Sequence, residues 1–446
     1  MIEIILELMD ENPINRTRLQ VITSKMNIVD IADSFEQLSR EKAVQLFRLL
    51  HKDMAADVFA YIEPDKQQVI VEALTDAEIG KIVEELFADD AVDFIEEMPA
   101  NVVTRVLRAV SEDKRKIINH LLQYPDDSAG TIMTTEFVDL KENTTVSEAF
   151  KYIRSIGVDK ETIYTCYVIR YDRTLLGVVS AKKLMLSNPE DRIGDIMNTN
   201  LVFGYTTDDQ EAVADKFSRY GLISMPIVDK EQRLVGIVTF DDVVQVIEEE
   251  ATEDFERMAA LNPSEEPYLK TSVVTLSKNR IPWLLVLMLS ATITGAILES
   301  FEHALTVLPA LMFFVPMLMD TAGNAGAQTS TLIIRGMAVG EIQIRDVLKV
   351  LWREIRVGVL CGLALGVVNL VRVYLMNGQN PLLSLTITLT VIVTVVIAKA
   401  CGCLLPILAK KIKIDPTVMA APIITTIADA SALILYFWIA RAILRI

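Results

Sequence analysis

Histidine and cysteine are scarce in this chain, three and four residues in 446, and that scarcity removes several chemistries. The cysteines, Cys166, Cys361, Cys401 and Cys403, form neither a zinc spacing nor a disulfide framework, which suits a reducing compartment. No Gly-rich loop ending in Lys-Ser/Thr occurs, which excludes the usual phosphate-loop ATPase, and no nucleophile–base constellation marks an enzyme. Basic residues are outnumbered 43 to 60, so no nucleic-acid-binding face is expected. The N-terminus, Met-Ile-Glu-Ile-Ile-Leu-Glu, has no basic segment or cleavage site of a signal peptide, so the large N-terminal part is expected in the cytoplasm.

What is present divides unevenly. From Ile281 onward the chain holds 12 Lys/Arg and 8 Asp/Glu; the first 280 residues hold 31 against 52. Such an acidic portion suits divalent cations, for which carboxylates are hard oxygen ligands, although acidic surfaces also serve solubility alone. Within it, residues 1–128 read as successive short helices. Ala32-Asp33-Ser-Phe35, Ala56-Asp57-Val-Phe59 and Val92-Asp93-Phe94-Ile95 recur between amphipathic runs, the pattern of a small helical superhelix. Asp89, Asp90, Asp93 and Glu96 cluster near its end, and the plain alternative for them is a solvated helix face.

From about Gly130 the texture changes to β-branched strands. Phe137–Leu140, Thr165–Arg170 and Leu176–Ser180 surround a helix from Val146 to Ile156, and the order returns after Gly194 with Leu201–Phe203, a helix from Gln210 to Arg219, Met225–Asp229 and Leu234–Thr239. Paired openings, Thr131-Ile-Met133-Thr and Asp195-Ile-Met197-Asn, and paired ends, Gly177-Val-Val-Ser180 and Gly236-Ile-Val-Thr239, fix an internal duplication, 129–190 and 191–247. At these residues the chain resembles a tandem CBS domain. Such modules commonly bind adenine nucleotides such as ATP between the repeats, through a Thr or Ser after the last strand and an Asp three residues on. Thr239 and Asp242 match, near Met225 and Pro226; in the first repeat Ser180 is followed by Lys183 instead of Asp. A structural pair without ligand is the other reading.

The most acidic run follows, in a stretch from Asp241 to Glu256 that reads as one helix and carries Glu249, Glu250, Glu253 and Asp254. Like charges at helical spacing are unfavourable unless neutralised, and a shared divalent cation would do that. This helix and its linker occupy 248–270. Five apolar stretches fill 271–446: about 281–298, 304–334, 355–376, 382–408 and 417–442, each near or above a bilayer-spanning length. Basic residues concentrate before the first, between the second and third, and between the fourth and fifth, which places residues 1–280 inside and the C-terminus outside.

Two acids lie well inside these spans. Asp320, at the centre of a lipid-facing helix, would cost roughly 2.5–3.5 kcal/mol, and it stands with Gly323, Asn324, Gln328 and Thr329 in a small and polar segment. Asp429 lies in Thr425-Thr426-Ile-Ala-Asp-Ala-Ser431, again among small and hydroxylated residues. A lone intramembrane carboxylate suits magnesium, which dehydrates reluctantly. The alternatives are a polar helix–helix contact and, for Asp429, an ion pair with Lys399.

A helical N-domain, two CBS repeats, an acidic connecting helix and five spans, in that order, resemble the MgtE family of magnesium channels. The resemblance implies three parts: an α-helical superhelix, an α/β tandem CBS domain and an all-α five-span transmembrane domain. It implies a homodimer in the cell membrane, a pore from the second and fifth spans with Asp429 binding hydrated Mg2+, and closure by cytosolic Mg2+ on carboxylates of the acidic domains. Asp320, Gly323, Asn324 and Thr426 are pore candidates; Asp89, Asp90, Asp93, Glu96, Asp241, Glu249, Glu250, Glu253 and Asp254 are regulatory candidates. Carriers of Mn2+ or Co2+ and a membrane-tethered cation sensor are the remaining alternatives.

Overall fold

The computed structural model describes residues 2–11, 14–264, 268–376, 381–419 and 421–445. Part of the linker, residues 265–267, and the neutral loop 377–380 lie outside the described residues. The chain divides into two compact units, Met1–Ile247 and Glu248–Ile446.

The first unit opens with ten helices among the described residues, α1 (Ile2–Asp10), α2 (Arg16–Thr23), α3 (Ile28–Glu36), α4 (Arg40–Leu49), α5 (Lys52–Ala60), α6 (Pro64–Ala73), α7 (Asp76–Glu85), α8 (Ala88–Glu96), α9 (Ala100–Ala109) and α10 (Glu112–Leu121). Local sequence sets their starts. Pro64 stands in the first turn of α6, and Thr75 and Glu78 form a reciprocal capping box on α7, a device worth about 1 kcal/mol. Alternate helices pack on one another, α3 on α5, α5 on α7 and α7 on α9. Phenylalanines add a second line of contacts, from α3 through α4 and α5 to α8. Phe35, Phe47, Phe59 and Phe94 meet edge to face in series, with centroids 6.5, 5.8 and 5.1 Å apart, each contact adding roughly 0.5–1.5 kcal/mol beyond burial.

The duplicated segment forms two sheets of identical topology. In the first, β1 (Asp139–Leu140) runs parallel to β2 (Thr165–Ile169), which pairs antiparallel with β3 (Leu175–Ser180). The second repeats this with β4 (Gly204–Tyr205), β5 (Ser224–Val228) and β6 (Leu234–Thr239). The register irregularity even recurs at equivalent places, Val168/Ile169 and Ile227/Val228. Strand limits depart from expectation in two places: only Asp139–Leu140 of the stretch 137–140 pairs, and the strand expected at Leu201–Phe203 forms at Gly204–Tyr205. Gly204 pairs with Ile227 there, and a Cβ on it would lie 2.9 Å from the Ile227 Cδ1.

The paired motifs turn out to cross. Met133, which opens the first repeat, has its sulfur 2.7 Å from where a Cβ on Gly236 would stand, and Met197, opening the second, stands equally close to Gly177. Each repeat thus begins by packing on the last strand of the other, with bridges Thr134–Ile237 and Val178–Asn198. Helices α11 (Val146–Ile156), α12 (Ala181–Leu186), α13 (Ile193–Ile196) and α14 (Gln210–Tyr220) complete the pair. The ten-helix core runs on into the second repeat through Met225, Ile227 and Val243. Helix α15 (Phe240–Met258) follows β6 without a break.

The second unit holds α16 (Val273–Ser300), α17 (Glu302–Val307), α18 (Val315–Ala338), α19 (Val347–Met376), α20 (Pro381–Lys411) and α21 (Ala421–Leu444). Among the described residues, four helices meet the length and apolarity of a membrane span, those built on α16, α19, α20 and α21. Here the expectation of one continuous apolar run over 304–334 is corrected. That stretch breaks into α17, a tight 3-10 segment Pro309–Phe314 and then α18, because Pro309 and Pro316 each remove a backbone donor and favour a helix start. Helix α18 is long enough to span, but Asp320, Asn324 and Gln328 lower its apolarity. His303 lies in α17. Packing is close where glycines recur: a Cβ on Gly402 of α20 would stand 2.4 Å from the Gly326 carbonyl oxygen of α18, and Gly358, Gly362 and Gly366 seat α19 against Ile392 and Val396 of α20.

Candidate functional site

The two acids expected at membrane depth, Asp320 and Asp429, sit on α18 and α21, which cross at their small residues. A Cβ on Gly323 would lie 3.1 Å from Thr425 Cγ2 and 3.7 Å from Asp429 Oδ1, so the absence of a side chain at Gly323 leaves the space in front of the carboxylate. Asp429 Oδ1 is buried and has no hydrogen-bond partner. A buried acceptor left unsatisfied is costly, and the cost is consistent with a group kept for a ligand. Lys399 is not its partner: that ammonium turns to Thr329 Oγ1 at 3.3 Å. Asp320, Asn324 and Gln328, four residues apart, form one exposed stripe of α18, while Ala322, Gly326, Thr329 and Ser330 form the buried face. Thr426 is less central than expected. Its hydroxyl donates to the Pro422 carbonyl and lies 3.4 Å from Ser290 of α16, and it is Thr425 that meets Gly323.

In the first unit a group of carboxylates gathers around two helix starts. Asp89 and Asp90 occupy the first turn of α8, Asp241 and Asp242 that of α15, where the helix dipole favours anions. Asp89 is buried and accepts the Asp90 backbone N–H at 3.0 Å. Burial raises its carboxyl well above the usual range, and the charges of Asp242, Asp90 and Glu161 raise it further. Asp90 is pushed to about 6 by burial, then by Asp242 and Asp241, with Lys114 opposing. Glu161 rises to about 8 through burial and then the charges of Asp241, Asp242, Asp90 and Glu136. Burial also lifts Asp242, against the hydrogen bond from Thr239. The single proton of the Thr239 hydroxyl serves either Asp241 or Asp242, both at 2.6 Å. The nearby Lys114 is itself committed, donating to the Leu86 carbonyl at 2.5 Å and pairing with Glu136 at 3.5 Å. The group therefore holds more negative charge than its cation balances. Asp93 and Glu96 lie on the exposed side of α8.

A second acidic group lies at the other end of α15. Burial raises the Asp254 carboxyl, and Asp415 and Glu250 raise it further against Arg257 and Arg335. Arg257 bridges Glu253 and Asp415. Glu249 is exposed on the same helix. Among the described residues no three carboxylate, imidazole or thiol groups are drawn together tightly enough to hold an ion unaided. Water-mediated contacts suit magnesium, which usually keeps part of its hydration shell.

Glu161, Asp415 and Thr425 were not singled out as site residues by the sequence. Glu161 follows the 3-10 turn Gly157–Asp159 in a loop, and nothing local marks its approach to Asp90 and Asp242. Asp415 did carry a signal, as an acid two residues after the basic segment from Lys410 to Lys413. As for the nucleotide candidates, Met225 is fully buried, Pro226 pairs with Ile237 within the sheet, and Thr239 and Asp242 belong to the acidic group. The equivalent cleft of the first repeat is lined by Ser180, Lys183 and Asn198.

Comparison with known proteins now bears on this arrangement. Family models match along the chain: the MgtE intracellular N domain over residues 26–127, the CBS domain over 129–187 and 193–249, and a divalent cation transporter domain, MgtE, over 315–439. The magnesium transporter MgtE of Thermus thermophilus is 35% identical over 431 residues, covering 96% of this chain and 95% of that one. The chain belongs to the MgtE family. The MgtE of Bacillus subtilis is 30% identical, over 95% of this chain and 93% of its own. A crystal structure of the soluble part of a magnesium transporter is 28% identical and superposes with a TM-score of 0.53, covering 56% of this chain and 98% of that one. The MgtE membership accounts for the order of parts: helical N-domain, CBS pair, then apolar helices.

Proposed function

We propose that this chain, a magnesium transporter by its family, is a channel that admits Mg2+ through the cell membrane and closes when Mg2+ binds its acidic cytosolic carboxylates. The observation that carries the reading is the unsatisfied Asp429 carboxylate facing the gap left by Gly323 between α18 and α21. An acid held without a cationic partner at membrane depth suits a transported cation better than an anchor. Replacing Asp429 by Asn and measuring Mg2+ uptake into proteoliposomes tests it.

In this reading α16, α18, α19, α20 and α21 all cross the bilayer, with residues 1–280 cytoplasmic and the C-terminus outside. The stripe Asp320, Asn324 and Gln328 is poorly suited to lipid, so it faces water or a second copy, which favours a homodimer with the ion path along α18. Helix α15 couples the two acidic groups, because one continuous helix carries Asp241 and Asp242 at its start and Glu250, Glu253 and Asp254 towards its end. Bound Mg2+ replaces carboxylate repulsion by coordination and favours one arrangement of that helix. A ligand shifts a conformation only through its differential affinity, so the cation sites are weaker in the open form. An adenine nucleotide, ATP among them, would meet Thr239 and Asp242. Since Asp242 also belongs to the acidic group, nucleotide and cation would act on the same residue.

A further inference from the structure

Lys399 is the buried charge that the conduction path does not use. Its side chain lies in α20 at membrane depth with 6% of its surface exposed, and its stem passes where Gly358 of α19 has no side chain, the Cδ being 3.6 Å from a Cβ placed there. An ammonium so placed requires a counter-charge. The counter-charge arrives indirectly. Lys399 Nζ donates to Thr329 Oγ1 at 3.3 Å, and that hydroxyl donates its own proton to Glu354 Oε2 at 3.0 Å. One hydroxyl, with one proton and two lone pairs, can serve both neighbours at once. Thr329 belongs to α18, Glu354 to α19 and Lys399 to α20, so a single polar chain ties three helices. It does so where α18 and α20 are nearly in backbone contact, since a Cβ on Gly402 would lie 3.2 Å from Thr329 Cβ.

Thr329 stands six residues beyond Gly323, about 9 Å along the helix from the level of Asp429. At that range in a low-dielectric setting an unbalanced ammonium would repel a dication strongly. We propose that Glu354 is a positioning residue for cation transport: acting through Thr329, it cancels the charge of Lys399 beside the ion path and keeps the path permissive to Mg2+. The inference rests on the proposed path along α18 and α21.

The test uses the full-length protein in proteoliposomes, with Mg2+ uptake measured for E354Q, the double variant K399M/E354Q and, in parallel, D429N. E354Q leaves the ammonium unbalanced and is expected to lower uptake about tenfold or more. Removing the ammonium as well should restore uptake to within a few-fold of wild type, which a merely structural role of Glu354 would not allow. Wild-type uptake by E354Q overturns the proposal. So does a double variant that remains inactive or fails to insert, because the chain of contacts is then structural only. If E354Q alone fails to insert, the activity of the double variant decides. Should D429N keep full transport, the path itself is wrong; should D429N be dead and E354Q normal, only the role of Glu354 falls.

Discussion

Without Mg2+, the carboxylates around Asp90 should make stability depend on pH in an unusual direction. Asp90 moves from an ordinary 3.8 to about 6, chiefly through burial. At about 1.4 kcal/mol per unit this corresponds to roughly 3 kcal/mol. Glu161, raised to about 8, is partly exposed, and after allowance for solvent screening we assign it no more than about 2 kcal/mol. The sign follows from linkage. With folded values above the unfolded ones, the folded state binds more protons, so stability is full below roughly pH 4 and is lost as pH rises through about 6 and then about 8. In chelator, the melting temperature of the first unit's transition should therefore fall between about pH 5 and pH 8, by roughly 3–6 °C for the Asp90 contribution, since about one unit of its shift, about 1.4 kcal/mol, is lost above pH 5, at 2–4 °C per kcal/mol. Mg2+ takes the place of the protons, so millimolar Mg2+ should raise the melting point far more at the alkaline end. The double variant D90N/D242N should melt higher than wild type in chelator at about pH 8 and respond little to Mg2+. A wild-type melting point that is flat or rises over this range, or a double variant that melts lower, refutes the reasoning.

Further consequences can be measured separately. Calorimetry with ATP should detect binding that D242A weakens about tenfold or more, since charged hydrogen bonds contribute roughly 1.5–3 kcal/mol; unchanged affinity would remove Asp242 from any nucleotide site. Neutralising Glu249, Glu250, Glu253 and Asp254 together should leave transport active at internal Mg2+ levels that close the wild type, and D415N should shift the closing concentration the same way; equal closure in both would dismiss this group as a sensor. Gly402→Leu should separate α18 from α20 and cost several kcal/mol by overpacking, seen as a lower yield of stable protein in detergent; wild-type stability would mean the crossing is not tight.

The sequence revealed the parts more readily than the meetings between them. The motif ending in Phe35, Phe59 and Ile95 announced a stacked helical unit because an apolar anchor repeated from helix to helix is a local signal. The duplication around Met133 and Met197 was equally visible, but its crossed packing on Gly236 and Gly177 required three dimensions. Helix α11 formed where the helical spacing of apolar residues placed it, from Val146 to Ile156. The break before α18 was missed because hydropathy registers Pro309 and Pro316 only weakly, whereas the backbone feels them fully. Of the acidic residues, Asp89, Asp90, Asp241 and Asp242 converge, while Glu161 joins them from a loop 70 to 80 positions away from either pair. That proximity is a property of the fold, and no spacing in the chain encodes it.

Whether Asp429 holds the transported ion is tested most directly by Mg2+ uptake through D429N reconstituted beside wild type. The change is nearly isosteric and removes only the charge. The account predicts near-complete loss of uptake with membrane insertion and dimerisation unchanged. Transport by D429N close to the wild-type rate would contradict it.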